Sequence, residues 1–241
     1  MVTTDNYTGG RNVFVIIVAA GSGSRFGSDI PKQFLPFCGI PVLCHSIGTF
    51  HRVLPAARIF VVLSDEGRDY WNTLVALELD FEPVLVRGGA SRTESVRNAL
   101  DTVRPFIDDK SIVMIHDGAR PLVGEAVISA TVDRFRNGAE AVVPVCPLTE
   151  AIAAKNDVSE TVSPVDRAGF VMVRTPQSFN AARLAEAYDS LANESLPDDA
   201  AVYTKYTAKG LDTIEDSLYN IKITNPADIE IAEIYLRHKQ A

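Results

Sequence analysis

Cysteine is scarce in this sequence: Cys38, Cys44 and Cys146 are odd in number, and no two stand in CxxC spacing. That argues against a disulfide framework and against structural zinc, and it makes a cytoplasmic location the expectation. The four histidines, His45, His51, His116 and His238, likewise lack metal-ligand spacing. Long apolar runs are missing too. The longest, Val13 to Ala20, falls far short of the ~20 residues that a bilayer-spanning helix needs, so no membrane segment is expected. The first eleven residues are polar and contain glycine, without the apolar core of a signal peptide, and 1–11 reads as a flexible tail. Basic charge is not in excess. With 23 Lys and Arg against 31 Asp and Glu the net charge is −8, which argues against nucleic acid or an anionic membrane as the main partner. An anionic ligand would have to be met by a local cluster of cations.

What is present suffices for a sizeable core, since 46% of the 241 residues are apolar. Short runs rich in Val and Ile recur at Val13–Val18, Ile59–Leu63, Val84–Val86, Ile112–Ile115 and Ala141–Val145. Runs of this length read as strands buried on both faces, as in parallel sheets. Amphipathic stretches lie between them at Val42–Val53, Gly67–Leu79, Arg92–Val103 and Gly124–Arg136. The alternation predicts right-handed βαβ units in a doubly wound α/β domain over 12–241. It breaks at about 146–170, where polar residues with Pro147 and Pro164 predict a two-stranded arm. Ala181–Leu191 and Asp198–Ala208 read as helices, with Gly210 ending the second. Asn220–Thr224 reads as a short strand, and Pro226 opens a final helix through Arg237.

The first strand runs into Ala19-Ala20-Gly21-Ser22-Gly23-Ser24-Arg25-Phe26-Gly27. Such a turn lets backbone N–H groups approach a phosphate. No Gly-Lys-Ser/Thr follows, so it is not a Walker A loop, and GxGxxxG spacing departs from the dinucleotide fingerprint. Arg25 and the Lys32 of Pro31-Lys32-Gln33 suit a triphosphate, where cations clamp charge gathering on a leaving pyrophosphate. The plain alternative is a structural turn with solvated cations. In Gly88-Gly89-Ala90-Ser91-Arg92-Thr93-Glu94-Ser95, Ser91 and Glu94 form a capping-box pattern. The same glycines would let a flat base lie against backbone, with Arg92 and Ser95 facing it. In His116-Asp117-Gly118-Ala119-Arg120-Pro121, Asp117 would ligate Mg²⁺, directly or through water, or hold a sugar hydroxyl; a salt bridge to Arg120 is the alternative. His116 reads as a packing residue. Lys222, between Ile221 and Ile223, points away from their face and taken alone reads as an edge charge.

Together these residues resemble the 2-C-methyl-D-erythritol 4-phosphate cytidylyltransferase family. The matching stretches are VAAGSGSRFG (18–27), PKQFLPFCGIPVLCHSI (31–47), GGASRTESV (88–96), HDGARP (116–121), TVSPVDR (161–167), TPQSF (175–179), DDAAV (198–202) and NIKITNPADIEIAE (220–233). They span nearly the whole chain in the family's order. The resemblance implies a Rossmann-like nucleotidyltransferase fold, a mostly parallel twisted sheet with helices on both faces, and a protruding β-arm that forms a homodimer. It implies transfer of a cytidylyl group from CTP, with Mg²⁺ or another divalent cation, to a small polyol phosphate. Ala19, Ala20, Gly21, Gly23, Gly89, Arg92, Ser95 and Gly118 would bind CTP. Arg25, Lys32 and Lys222 would be catalytic. Asp117, Arg120, Thr149 and, from the partner's arm, Arg167 would meet the acceptor, with Asp117 also near the metal, which is held mainly by the CTP phosphates.

Three departures stand out. Ala151 takes the place of an arm threonine, with Thr149 as its neighbouring substitute, Pro197 precedes Asp198-Asp199 where the family often has threonine, and Gly118 replaces the usual alanine. The first two fall on the acceptor side. The rival readings are a ribitol-5-phosphate cytidylyltransferase, which shares most of these motifs, a non-catalytic nucleotide-binding protein, and, more distantly, a Rossmann oxidoreductase.

Overall fold

The computed structural model describes residues 8–21, 26–28, 30–156, 161–191, 194 and 196–240. In chain order these form β1 (Val13–Val18), β2 (Pro36–Phe37), β3 (Ile40–Pro41), α1 (Val42–Val53), β4 (Arg58–Leu63), α2 (Asp65–Tyr70), β5 (Val84–Arg87), α3 (Arg92–Val103), β6 (Ile112–Asp117), α4 (Glu125–Arg136) and β7 (Ala141–Pro147). There follow β8 (Ile152–Asn156), β9 (Thr161–Val165), β10 (Val171–Val173), β11 (Gln177–Asn180), α5 (Ala181–Ser190), α6 (Asp199–Thr207), β12 (Asp212–Glu215) and α7 (Ala227–Gln240).

The main sheet runs β7, β11, β6, β1, β4, β5, with β10 and β12 also paired to β7. The β6–β1–β4–β5 half is parallel, whereas β11 is antiparallel to both β6 and β7. Strand β1 shows how the sequence builds two layers. Val13, Val15 and Ile17 join one core with Ile47 and Phe50 of α1 and Ile128 and Phe135 of α4. Phe14 and Ile16 join the opposite core with Val96 and Leu100 of α3, Leu184 of α5 and Tyr203 of α6. Successive side chains of a strand point to opposite faces, so a run apolar throughout is covered on both. A third cluster, around Phe26, Phe37, Leu122 and Ile223, receives Ala232 of α7.

Several boundaries differ from the sequence reading. The helix expected over Gly67–Leu79 starts earlier, because Ser64 caps it by accepting from Gly67 N at 3.0 Å. It then breaks into a π turn, Trp71–Val75, and a 3₁₀ turn, Ala76–Glu78. The residue that ends α6 in the left-handed region is Ala208, at φ +52°, not Gly210. Asn220–Thr224 is not a strand; the strand of that region is β12, which lies parallel to β7 and buries Ile214. Strands β10 and β11 went unread. At the other end of the chain, Thr8 is buried and Arg11 donates to Lys110 O at 3.2 Å, while 1–7 lie outside the described residues. Strands β8 and β9 pair antiparallel as a separate sheet with mostly exposed residues, which is the arm. Among the described residues no helix is long and apolar enough to cross a membrane.

Candidate functional site

Parallel strands β4, β1 and β6 end side by side, and the loops that leave them are stitched to their neighbours. Ala19 N donates to Val62 O at 2.9 Å, Gly88 N to Leu63 O at 2.8 Å, and Gly118 N to Val18 O at 2.9 Å. The chain leaves β1 toward β4 and β5, then returns to β6 on the other side. That reversal opens a crevice at the carboxyl ends, where ligands of open α/β sheets bind. A cavity of about 580 Å³ lies there, within the usual range for small-molecule sites.

One wall is the turn after β1. Ala19, Ala20 and Gly21 line the cavity, as does Lys32 from the 3₁₀ turn Lys32–Phe34. The two are tied by buried Gln33, whose Nε2 donates to Ala19 O at 2.7 Å and to Gly21 O at 3.0 Å. The opposite wall is the start of α3. Ser91 accepts from Glu94 N at 3.1 Å, and the Glu94 carboxylate reaches back to Ala90 N at 2.7 Å. The capping function is thus real, and Gly89, Arg92 and Ser95 line the cavity as well. Ser95 Oγ accepts from Gly89 N at 3.0 Å, which fixes the glycine pair. Gly88 is closely packed as well: a Cβ there would meet Ala20 Cβ at 2.5 Å, so a larger residue would force a shift.

The floor is the end of β6. Asp117 carries three cations: Lys222 Nζ at 2.9 Å, Arg120 Nε at 3.3 Å and Arg92 Nε at 3.8 Å. Burial alone would raise its carboxyl pKa, but Lys222, then Arg92 and Arg120, outweigh burial and hold it well below the ordinary carboxylate range. The Asp117–Arg120 salt bridge is therefore present, together with the two pairs that reach into the cavity. Arg120 is turned inward, donating from Nη1 to Asn220 O at 2.9 Å. Asn220 itself is fully buried and donates to Thr175 O at 2.9 Å and Asp216 Oδ2 at 2.8 Å. That anchoring, with Ile223 N bonded to Ala119 O at 2.8 Å, delivers Lys222 to Asp117 without a strand ladder.

His116 is fully buried, with Nε2 3.1 Å from Arg120 O and Nδ1 3.0 Å from Thr175 Oγ1. A carbonyl only accepts, so the ring proton sits on Nε2, and Nδ1 takes the Thr175 hydroxyl hydrogen. Burial pushes its pKa down to about 4, so it is a neutral packing residue that braces Asp117 through Thr175, which accepts from Asp117 N at 3.2 Å.

Other residues singled out from the sequence stand elsewhere. Gly23 and Arg25 lie outside the described residues. Gly118 sits beneath the cavity, where a Cβ would meet Leu43 Cδ1 at 2.9 Å and Ala19 Cβ at 3.1 Å. Thr149 and Arg167 are exposed at the arm and joined by a hydrogen bond from the Arg167 guanidinium to Thr149 O. Neither lines the cavity of its own chain. Sequence reasoning missed Gln33, Ala119 and Thr224 in the lining, and Asp199 behind it. As to a metal, Asp117 is the single carboxylate among the described lining residues, and no group of three or more His, Cys, Asp or Glu is assembled among the described residues. The described residues offer no cage of their own.

Comparison with known proteins bears on the family and the fold. The family model described as 2-C-methyl-D-erythritol 4-phosphate cytidylyltransferase matches residues 13–238. A relative of that name from Porphyromonas gingivalis is 37% identical over 225 residues, which is 92% of this chain and 97% of the relative. One from Bacteroides fragilis is 37% identical over 227 residues, 92% of this chain and 98% of the relative. The crystal structure of the Francisella tularensis 2-C-methyl-D-erythritol 4-phosphate cytidylyltransferase covers 93% of this chain and 99% of its own at 26% identity, with a TM-score of 0.76.

Proposed function

Because this chain belongs to the 2-C-methyl-D-erythritol 4-phosphate cytidylyltransferase family, we propose that its cavity joins CTP to 2-C-methyl-D-erythritol 4-phosphate. The products are 4-diphosphocytidyl-2-C-methyl-D-erythritol and pyrophosphate. The acceptor is a phosphate monoester, an anion at neutral pH, so no protein nucleophile is needed. Its oxygen attacks the α-phosphorus of CTP in line, and pyrophosphate departs from the far side. The task left to the protein is to hold two mutually repelling anions together and to neutralise charge as it shifts to the leaving group.

The observation that carries this reading is the set of three cations among the described lining residues, Lys32, Arg92 and Lys222, around the one carboxylate among them, Asp117. Lys32 and Lys222 suit the phosphates, and Arg25 is assigned the same task from the motif alone. The backbone of 19–21, with Gly89 and Ser95, suits the nucleoside. Magnesium would come with the phosphates of the nucleotide and supply charge neutralisation there, and Asp117, the one carboxylate among the described lining residues, would meet it directly or through water. Arg120 acts on the acceptor side by fixing Asp117 and Asn220.

Arg167 and Thr149 are assigned to the acceptor in a partner's cavity, across a homodimer formed by the arm. What supports this is that neither lines the cavity of its own chain, and the apolar exposure beside them: Val162, Phe170 and Val171 are each at least 50% exposed. Sedimentation velocity on the purified protein tests the dimer, and a monomer at assay concentration removes it. The reaction itself is tested by phosphorus NMR of a mixture with CTP and the acceptor. The acceptor's monoester resonance should give way to a diphosphate pair, with pyrophosphate in equal amount. Hydrolysis of CTP without loss of the monoester would contradict the assignment.

A further inference from the structure

Arg92 is held from behind. Its Nη1 and Nη2 donate to the two oxygens of Asp199 at 3.1 and 2.6 Å, a bidentate pair. Asp199 is 0% exposed, and the Tyr188 hydroxyl donates to its Oδ1 at 2.5 Å. The residues come from far apart: α3 supplies the guanidinium, α5 the phenol and the first turn of α6 the carboxylate. The start of α6 is itself fastened to β11, since Gln177 accepts from Ala200 N and donates to Asp198 Oδ2, both at 2.9 Å. Burial alone would make the Arg92 cation less favourable, but Asp199 and then Asp117 outweigh it and secure the charge.

We propose that Asp199, seconded by Tyr188, is a positioning residue for nucleotide binding, which acts by locking the Arg92 guanidinium at the cytidine end of the cavity. A long arginine beside a triphosphate site would otherwise swing toward the phosphates, the strongest acceptors in reach. With Nη1 and Nη2 committed to Asp199 and Nε aimed at Asp117, the fork keeps one plane and one depth. The chain of alternating charges Asp199–Arg92–Asp117–Lys222 then links the base end to the phosphate end. A carboxylate buried without its partner is strongly destabilising, so the lock works in both directions.

This inference rests on CTP occupying the cavity, and the test separates the two. CTP binding is measured by titration calorimetry on the full chain, with acceptor KM from turnover. Asp199→Asn keeps the shape but puts an amide N–H against Arg92. It should raise the CTP Kd about tenfold, the equivalent of ~1.4 kcal/mol, and leave the acceptor KM unchanged. In an Arg92→Ala background the same substitution should change CTP Kd no further, because a residue that acts through another has nothing left to position. Should Asp199→Asn prove unfolded by circular dichroism, Tyr188→Phe keeps the ring volume and should still raise CTP Kd about threefold by the same conversion. Wild-type CTP affinity in folded Asp199→Asn, or equal losses with and without Arg92, would overturn the positioning role. A wild-type protein that binds no CTP would overturn the cavity assignment as well.

Discussion

Lys222 Nζ lies 2.9 Å from Asp117 Oδ2, joining a loop near the carboxyl end of the chain to the last residue of β6. The pair sits at the cavity edge, with the lysine side chain 41% exposed and the aspartate 11%. The lysine is thus oriented by the carboxylate yet open to a ligand. Lys222→Ala should lower kcat by about 10²–10³, the usual loss of one preorganised charge on a transition state, with the fold intact by circular dichroism. Near wild-type turnover would remove Lys222 from the chemistry.

Gln33 ties the turn after β1 to the turn that carries Lys32. Gln33→Leu keeps the bulk but removes the amide from the buried bond to Ala19 O and the partly buried one to Gly21 O. The expected cost is about 1–3 kcal/mol of stability, read by urea denaturation, together with a raised KM for CTP. A change in acceptor KM alone would mean that the staple serves another part of the site.

Gly118 has no room for a methyl group, because Leu43 Cδ1 stands 2.9 Å from where it would go and Leu43 is fully buried. Gly118→Ala should cost about 1–3 kcal/mol through overpacking. In a Leu43→Val background the added cost should shrink, since the offending methyl is drawn back. Equal costs in both backgrounds would place the strain elsewhere.

The pH dependence of stability has a definite sign. The folded His116 pKa of about 4 lies below the ordinary 6.5, so above pH 6.5 neither state is protonated there. As pH falls from about 6.5 to about 4 the unfolded chain takes a proton that the folded chain refuses. Stability should decline across that window, by up to about 3 kcal/mol. Equilibrium unfolding at a series of pH values checks this, and the slope should flatten in His116→Gln.

Arg167 bonds to Thr149 O on the arm and does not line the cavity of its own chain. Arg167→Ala should raise the acceptor KM and leave the CTP KM alone. Mixing it with a Lys222→Ala variant should restore some turnover, because in half of the mixed dimers' cavities both residues are intact. Failure to complement, with both proteins dimeric, would place Arg167 in cis or outside the reaction.

Much of the fold was legible because a parallel α/β core writes its period plainly. Val13–Val18, Val42–Val53 and Arg92–Val103 fall where the apolar pattern puts them. β10, β11 and β12 were not read, since three or four residues carry too little pattern to separate a strand from a loop, and their partners are distant in sequence. The alternation around Lys222 suggested a strand where Arg120 takes the Asn220 carbonyl. The motifs flagged the lining of the cavity, because glycine-rich turns and cations are visible as residue types. Its supports were not visible. Gln33 bonds to backbone carbonyls, and Asp199 reaches Arg92 across 107 positions, so neither announces its role.

Pyrophosphate release from CTP and Mg²⁺ with the purified protein, comparing 2-C-methyl-D-erythritol 4-phosphate with ribitol 5-phosphate, tests the proposed reaction most directly. Release should require an acceptor and strongly prefer the first, with Ala151 and Pro197 tolerated. Preference for ribitol 5-phosphate, or no release with either acceptor, would contradict the proposed reaction.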